Sequence, residues 1–331
     1  MVAQRPVSSY RTIRSSDNTR AERRLQSTQD APRLRDGSRT HGGLRGLLAW
    51  SPPLLVVLVA LRYGTGWSAP LRLAVTTLVL YAALKATAIL RQPPGELLRT
   101  SRAGRLAYLT VWPGMSLLPF QSRGLSNAEG RRCLRGGLVR MALGGLAIVV
   151  LSLWAPWLSD GLLGWAGIGA LLLSVHLGYA DLLSGLLRRA GFPVRRLFDD
   201  PLASRSLAEF WSRRWNLAFI EMDRLLFVPL LRRVGTVGSL IGVFVISGLL
   251  HELAISFPAR AGWGLPSCYF LLHGVLVALE RHFLRPQRWP GALARMWTWS
   301  WLLVPLPLLF HTPFRQALVV PLFRQLHQVL W

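Results

Sequence analysis

Cysteine and lysine are almost missing from this sequence, and acidic residues are scarce. Its two cysteines, Cys133 and Cys268, are too few for a disulfide framework and lack the spacing of a metal site, so we interpret them as packing residues. Lys85 is the only lysine, and 15 acidic residues stand against 39 basic ones, which gives a net charge of +24. In a soluble chain such a charge is typical of nucleic-acid binding. No stripe of aromatic and basic residues accompanies it, so a nucleic-acid partner is excluded.

Apolar residues make up 51% of the chain and are gathered in long runs, with arginines at the ends of the runs. A helix needs about 20 apolar residues to cross roughly 30 Å of hydrocarbon. Such runs lie at about 47–63, 69–90, 137–158, 161–186, 236–257, 264–284 and 297–312, with a weaker run at 316–330. The pattern predicts an all-α polytopic membrane protein of about eight transmembrane helices, in contact with membrane lipids.

Two further segments complete the predicted organisation. Residues 1–46 are rich in Arg, Ser and Asp and poor in large apolar residues, which predicts a disordered basic tail before a single transmembrane domain at 47–331. The segment 107–120 is too short to span, contains Pro113 and Gly114, and has arginines on both flanks. These features predict a re-entrant or interfacial hairpin, which keeps both flanks on one side of the membrane.

The distribution of arginines also predicts an orientation. With the hairpin in place, the arginine-rich segments fall on the same side as the tail, and the opposite loops are short and carry few arginines. Because positively charged loops stay on the cytoplasmic side, we expect a cytoplasmic N-terminus. A compact, arginine-rich chain without organelle signals favours the bacterial inner membrane.

The core motifs lie within 187–257. A capping-box pattern, Ser206–Glu209, predicts the start of a helix, and the aromatic and basic cluster Phe210–Asn216 follows at once. The polar pair of His251 and Glu252 lies inside an apolar run, on the order of 20 Å from the start of its helix. Ionisable groups at membrane depth usually face a cavity and carry a function.

These motifs, together with Trp112–Met115 and Phe198–Pro201, resemble the wax synthase branch of the membrane-bound O-acyltransferase superfamily, over about residues 107–285. The resemblance implies that His251 is the catalytic residue and that Asn216 is its companion. It also implies transfer of a fatty acyl group from acyl-CoA to the hydroxyl of a long-chain, lipophilic alcohol. Acyl-CoA would be a co-substrate, and neither a cofactor nor a metal is expected.

The residue types suit this chemistry. An alcohol is a poor nucleophile at neutral pH, and a neutral imidazole can remove its proton as it attacks. A side-chain amide can donate a hydrogen bond to the thioester oxygen or orient the alcohol. Arginines can attract the phosphates of coenzyme A. We predict that His251 and Asn216 act in catalysis and that the substrate-binding residues are Trp211, Arg213, Arg214, Trp215 and Glu252.

Several of these positions have a second interpretation. His251 could be a structural histidine hydrogen-bonded between helices, Asn216 could cap a helix, and Glu252 could tune His251 or face water. Three other polar residues within predicted spans either line the site or make hydrogen bonds between helices: His176, Asp181 and His273.

The charged residues around the motifs are interpreted as structural. Glu221 and Asp223 fall on the polar face of an amphipathic stretch, 219–227, which is predicted to lie near the membrane surface with this face in solvent. Lys85, inside the second span, is expected to snorkel or to pair with an acidic residue.

Two alternatives to wax ester synthesis stay open. The same enzyme class could act on a sterol-like or natural-product alcohol. A membrane transporter or lipid-binding protein without catalysis would also have these spans, although the sequence has no internal repeat of the kind that many transporters show. No oligomeric state is predicted.

Overall fold

The computed structural model describes Ser51, Leu55 and residues 66–93, 95–124 and 127–331. The predicted tail at 1–46 lies outside the described residues, and so does the first predicted span apart from Ser51 and Leu55. The described residues contain helices, turns and loops and no strand. This confirms the predicted all-α class.

Eight main helices follow one another along the described chain. They are α1 (Ala69–Leu90), α2 (Asn127–Trp154), α3 (Asp160–Arg189), α4 (217–231), α5 (Gly235–His251), α6 (Leu265–Leu279), α7 (Gly291–Leu309) and α8 (Thr312–Leu330). Wide π-type turns interrupt several of them, for example at Leu172–Tyr179 within α3. After His251 the helical path of α5 continues to Ala259, and that of α6 continues to Leu284.

Four helical stretches in the described part are long and apolar enough to cross a membrane. They are Ala69–Leu90, Ala128–Trp154, Asp160–Arg189 and Leu217–Ala259, with mean hydropathies between 1.6 and 2.0. The last of these stretches contains both α4 and α5. The helices α7 and α8 meet at an angle of 65° and together could form a fifth, broken span. The protein is therefore a multi-pass integral membrane protein, while the count of about eight spans stays a prediction.

The segment predicted as a hairpin folds back on itself. Residues 102–111 form a helix, a loop follows, and Leu118–Gln121 form a short second helix. A Cβ atom at Gly104 would lie 2.7 Å from the carbonyl oxygen of Phe120, so the two ends of the hairpin lie against each other. Four buried side chains form its core: Tyr108, Trp112, Leu117 and Phe120. Its depth in the membrane stays a prediction.

A sharp turn joins α4 to α5. Gly235 adopts a φ of 76°, which glycine tolerates and other residues rarely do. Across this turn the Ser239 hydroxyl donates to the carbonyl oxygen of Leu231 at 2.7 Å. Further along, the buried Met222 and Leu226 belong to the same apolar cluster as α5 residues, so the two helices pack side by side.

The α4–α5 pair has two consequences. It brings the start of α4, at Asn216, to the same end of the pair as His251, which ends α5. It also packs the stretch 219–227 against other helices, where Met222, Leu226 and Phe227 are buried. The apolar side of this stretch therefore forms part of the core of the bundle.

Candidate active site

A cavity of about 910 Å³ lies among the helices. Residues of α1, of α3 to α8 and of the segment 208–216 line it, and most of them are apolar. Trp211, Trp215, Asn216 and His251 are on its wall. The structure thus brings together four of the seven residues that the sequence predicts for the site.

One ring nitrogen of His251 is held by a hydrogen bond within α5, and the residue lines the cavity. Its Nδ1 lies 2.7 Å from the carbonyl oxygen of Ser247, one turn back on α5. Because a carbonyl can only accept, Nδ1 carries the proton and Nε2 carries the free lone pair. The ring packs against Phe270, with centroids 4.2 Å apart, and lies 6.2 Å from the ring of Phe219. This orientation fixes the tautomer that a general base needs.

Asn216 both caps a helix and lines the cavity. It has a φ of 45°, in the left-handed region that asparagine tolerates better than most residues. Its Oδ1 accepts a hydrogen bond of 3.3 Å from the backbone N–H of Phe219, in the first turn of α4. With the oxygen turned toward the helix, the Nδ2 amide is the part that remains able to donate. The two interpretations made from the sequence are therefore compatible.

The segment before Asn216 begins a helix at the predicted place, and a distant carboxylate, Glu280, also binds its first turn. The Ser206 hydroxyl accepts from the backbone N–H of Glu209 at 2.9 Å, which confirms the predicted helix start. The Glu280 carboxylate accepts from the backbone N–H groups of Leu207 and Ala208 at 2.9 and 2.7 Å. It also accepts from the indole N–H of Trp297 at 2.8 Å. Sequence reasoning missed Glu280, because no local pattern links it to a segment 72 residues away.

Aromatic stacking orients the two tryptophans of the motif. The ring of Trp215 stacks on Phe210, with centroids 5.3 Å apart and an angle of 16° between the planes. Trp211 lies edge-on to Phe210 and 5.7 Å from Phe270, the residue that packs on His251. Both indoles therefore form part of the wall next to the imidazole.

Arg213 and Arg214 lie off the cavity wall. The Arg214 Nε donates to Glu209 at 2.7 Å, and its Nη1 donates to the carbonyl oxygen of Asp199 at 3.2 Å. Burial alone would raise the pKa of Glu209, but hydrogen bonds from the Arg205 backbone N–H and from Arg214 outweigh it and lower that pKa. Arg213 is exposed. Their substrate-binding role stays a prediction, and Arg214 has a structural role as well.

Glu252 points away from its neighbour His251. Its Oε1 accepts hydrogen bonds from the backbone N–H groups of Gly264 and Ser267, both at 3.0 Å, and from the Ser267 hydroxyl at 2.8 Å. These donors lie at the start of α6, so the carboxylate caps that helix. Glu252 is not among the residues that line the cavity, and its predicted contact with substrate stays a prediction.

The three other polar residues have different surroundings. His176 lines the cavity, and its ring lies 6.3 Å from that of Phe198. Asp181 is buried and accepts from Arg196 at 3.0 and 2.8 Å and from Arg140 at 2.5 Å, so it links α2, α3 and the loop after α3. His273 is fully buried and does not line the cavity.

The two acidic residues of α4, Glu221 and Asp223, do not lie on a solvent-facing side as the sequence suggested. Asp223 lines the cavity. Glu221 accepts from the backbone N–H of Ser116 in the hairpin at 3.3 Å. The Lys85 ammonium is buried and donates to the carbonyl oxygens of Trp112 and Gly114 at 3.0 and 2.6 Å. The hairpin is therefore fixed to the bundle by charged groups from α1 and α4.

No group of three or more His, Cys, Asp or Glu side chains in the described part of the chain is placed to hold a metal ion. The polar groups on the mostly apolar cavity wall include the imidazoles of His176 and His251, the amide of Asn216 and the carboxylate of Asp223.

Comparisons with known proteins agree with the motifs. Residues 194–272 match the model of the membrane bound O-acyl transferase family. A probable long-chain-alcohol O-fatty-acyltransferase of Arabidopsis thaliana is 36% identical over 110 residues, 30% of this chain and 32% of that protein. The long-chain-alcohol O-fatty-acyltransferase of Simmondsia chinensis is 33% identical over 110 residues, 29% of this chain and 31% of that protein.

A third relative differs in its acceptor. An acyl-CoA–sterol O-acyltransferase of Arabidopsis thaliana is 28% identical over 171 residues, 45% of this chain and 49% of that protein. The matched segments thus span less than half of the length of these three relatives. The resemblance inferred from the sequence is confirmed for the segment that contains Phe210–Asn216 and His251.

Proposed function

Because residues 194–272 carry the signature of the membrane-bound O-acyltransferase superfamily, in its wax synthase-like branch, we propose that this protein transfers a fatty acyl group to the hydroxyl of a lipophilic alcohol. The donor is acyl-CoA and the products are a wax-type ester and coenzyme A. The observation that carries the proposal is the placement of His251, whose Nδ1 is fixed on the Ser247 carbonyl while the residue lines an apolar cavity together with Asn216.

The reaction proceeds by direct transfer. As the alcohol oxygen attacks the thioester carbonyl carbon, the Nε2 of His251 removes the hydroxyl proton. The amide Nδ2 of Asn216 donates to the carbonyl oxygen, on which negative charge develops, and a donor of this kind contributes about 2.7–4 kcal/mol. The C–S bond then breaks, and the imidazolium returns the proton to the departing thiolate. The ester C–O bond has formed and both residues regain their starting states.

The surroundings of His251 support the proposed positions of the two substrates. The apolar wall accommodates hydrocarbon chains, and exclusion of water from such a site protects the thioester from hydrolysis. Arg213, exposed at the edge of the motif, is in our proposal one of the groups that attract the phosphates of coenzyme A. No cofactor beyond this co-substrate takes part.

The acceptor has a second candidate class. The similarity to an acyl-CoA–sterol O-acyltransferase supports testing a sterol beside long-chain alcohols. A transporter or lipid-binding function without catalysis is not favoured, because it gives no reason for a family signature that contains the imidazole and the amide on one cavity wall.

The orientation follows from the arginines. We propose that the N-terminus is cytoplasmic and that the enzyme resides in a bacterial inner membrane, so that acyl-CoA reaches the arginine-rich side. Protease accessibility of a tag at the N-terminus, in right-side-out and inverted vesicles, tests this orientation.

The test of the reaction uses the full chain in detergent with radiolabelled palmitoyl-CoA. Hexadecanol, a plant sterol and a buffer blank serve as acceptors, and labelled ester is separated from free acid. We expect ester from the parent and a loss on the order of 10²–10⁴-fold in His251→Ala, which removes the general base.

His282→Ala is the matched control, because His282 is exposed and does not line the cavity. It should retain the parent's rate. Ester formation by a folded His251→Ala protein at the parent's rate would refute the catalytic assignment. Absence of ester from every acceptor in the folded parent would refute the proposed reaction.

A further inference from the structure

Asp223 is a carboxylate on the wall of a mostly apolar cavity. It lies on the same side of α4 as Asn216 and Ile220, which also line the cavity. One helical turn, or about 6 Å, separates Asp223 from Phe219, whose ring is 6.2 Å from that of His251. The carboxylate therefore faces the space in which an alcohol would extend from the catalytic imidazole.

Asp223 has no hydrogen-bond donor and no ion-pair partner among the described residues. Its Oδ1 is completely enclosed and unpaired. The positive charge that acts on the carboxylate is that of Arg224, its neighbour in the chain, and no hydrogen bond joins the two side chains. Every other enclosed or half-buried carboxylate in the described part of the chain has a donor. These are Glu96, Asp181, Glu209, Glu221, Glu252 and Glu280.

Among the described residues no side chain donates to this carboxylate, although Arg224 and Arg281 also line the cavity. Three serines share the cavity wall, but each hydroxyl is already used within its helix or turn. Ser212 donates to Ala208, Ser239 donates to Leu231, and Ser247 donates to Val243, in each case to the backbone carbonyl oxygen. Burying a carboxylate without a hydrogen-bond donor costs free energy. A substrate that is only a hydrocarbon chain in this part of the cavity would leave the carboxylate without a donor.

We propose that Asp223 recognises a second hydroxyl on the acceptor, so that the preferred substrate is a long-chain diol rather than a simple alkanol. The first hydroxyl reacts at His251, and the second, farther along the chain, donates to Oδ2 of Asp223, the carboxylate oxygen that is not enclosed. This inference rests on the proposed acyl transfer and specifies its acceptor. Asp223 is then a specificity-determining residue, because it touches the substrate away from the reacting atoms.

The first test needs no variant. Ester formation by the full chain in detergent is measured with hexadecanol and with hexadecane diols whose second hydroxyl moves stepwise away from the terminal one. We expect kcat/KM for the best diol to exceed that for hexadecanol by at least about tenfold, the effect of one hydrogen bond to a charged group. Equal kcat/KM values for hexadecanol and all diols would overturn the inference and leave the proposed reaction intact.

The second test changes the carboxylate. Asp223→Asn should lower the diol-to-hexadecanol ratio of kcat/KM about tenfold, and Asp223→Leu should lower it further, because an apolar side chain favours the alkanol. Asp160→Asn is the matched control: Asp160 pairs with Arg324 away from the cavity, so the ratio should stay at the parent's value. A ratio that is the same in Asp223→Asn as in the parent would also overturn the inference.

These outcomes are separable from failure of the proposed function. If the folded parent makes no ester from alkanol, diol or sterol, the acyl transfer itself is wrong. If it makes ester and shows no diol preference, only the role of Asp223 is wrong. Because the ratio is measured within one preparation, partial unfolding of a variant lowers both rates and leaves the ratio interpretable.

Discussion

His251 and His273 lie on adjacent helices and resemble each other closely. Each has its Nδ1 near the backbone carbonyl four residues earlier, at 2.7 Å from Ser247 in one case and 2.8 Å from Tyr269 in the other. Each also packs against an aromatic ring with centroids 4.2 Å apart. The difference is access: His251 lines the cavity, whereas His273 is fully buried and does not. Access to the cavity, and not the hydrogen bond of Nδ1, therefore distinguishes the proposed base from His273.

The largest expected effect comes from replacing each of the two histidines by asparagine. The Asn amide can reproduce the Nδ1–H donor to the carbonyl, but it has no counterpart of the basic Nε2. We expect His251→Asn to lower the rate of ester formation on the order of 10²–10⁴-fold and His273→Asn to retain most of it.

Initial rates with palmitoyl-CoA and hexadecanol, measured beside the unfolding temperature in detergent, check this pair. The comparison fails if both variants are folded and His273→Asn is as inactive as His251→Asn. The Nε2 of His273 would then be needed for the reaction although His273 does not line the cavity.

The second effect concerns the amide partner. Asn216→Gly keeps the left-handed backbone conformation without strain and removes both the cap and the Nδ2 donor. Loss of an oxyanion donor lowers kcat about 10²–10³-fold, while replacing an Asn cap by Gly costs only a few tenths of a kcal/mol, on the order of 0.3. We expect a large fall in kcat with a small change in unfolding temperature. A fall in the unfolding temperature with unchanged kcat would show that Asn216 caps α4 and takes no part in catalysis.

The third effect tests a buried charge outside the cavity. Lys85→Met removes the ammonium that donates to the carbonyl oxygens of Trp112 and Gly114. The Trp112 carbonyl keeps a donor in the Tyr81 hydroxyl, whereas the Gly114 carbonyl loses the Lys85 ammonium. A buried acceptor left without a donor costs about 1–3 kcal/mol, so the unfolding temperature should fall. Since Lys85 does not line the cavity, the preference among acceptors should stay at the parent's value. A changed preference at unchanged stability would contradict this division between structure and selectivity.

The same division explains what the sequence predicted and what it missed. Runs of apolar residues and the Phe210–Asn216 and His251 motifs are local patterns, and they predicted helices, membrane insertion and the main site residues. Asp223 was assigned to a solvated face because its amphipathic stretch has one polar side. The turn at Gly235 packs that stretch into the bundle, and the adjacent wall of the cavity includes Asp223. Such an arrangement depends on contacts between distant segments, which periodicity does not encode.

Two other cases follow the same rule. The cap that Glu252 forms on α6 was not predicted, because its donors lie in a segment that the motif around His251 does not indicate, and the predicted contact of Glu252 with substrate stays a prediction. Lys85 was expected to snorkel or to pair with an acidic residue. Its ammonium interacts electrostatically with Glu221, while its hydrogen bonds go to backbone carbonyl oxygens of the hairpin. Backbone carbonyls of a loop 27 or 29 residues away cannot be identified as hydrogen-bond acceptors from the order of side chains in the sequence.

The smallest expected effect is a pH dependence at Glu209, which lies outside the spans and fixes Arg214 beside the motif. The pKa of Glu209 is lowered from its ordinary value of 4.5, since hydrogen bonds from Arg205 and Arg214 outweigh burial. A carboxylate with a lowered folded-state pKa stabilises the fold above its unfolded-state pKa and loses that contribution as the pH falls through the folded-state value. Below about pH 4.5 the unfolding temperature of Glu209→Gln should therefore fall less steeply than that of the parent. Parallel pH profiles for the two proteins would show that the carboxylate is not stabilised by these donors, and Arg214 would then be free to serve the substrate.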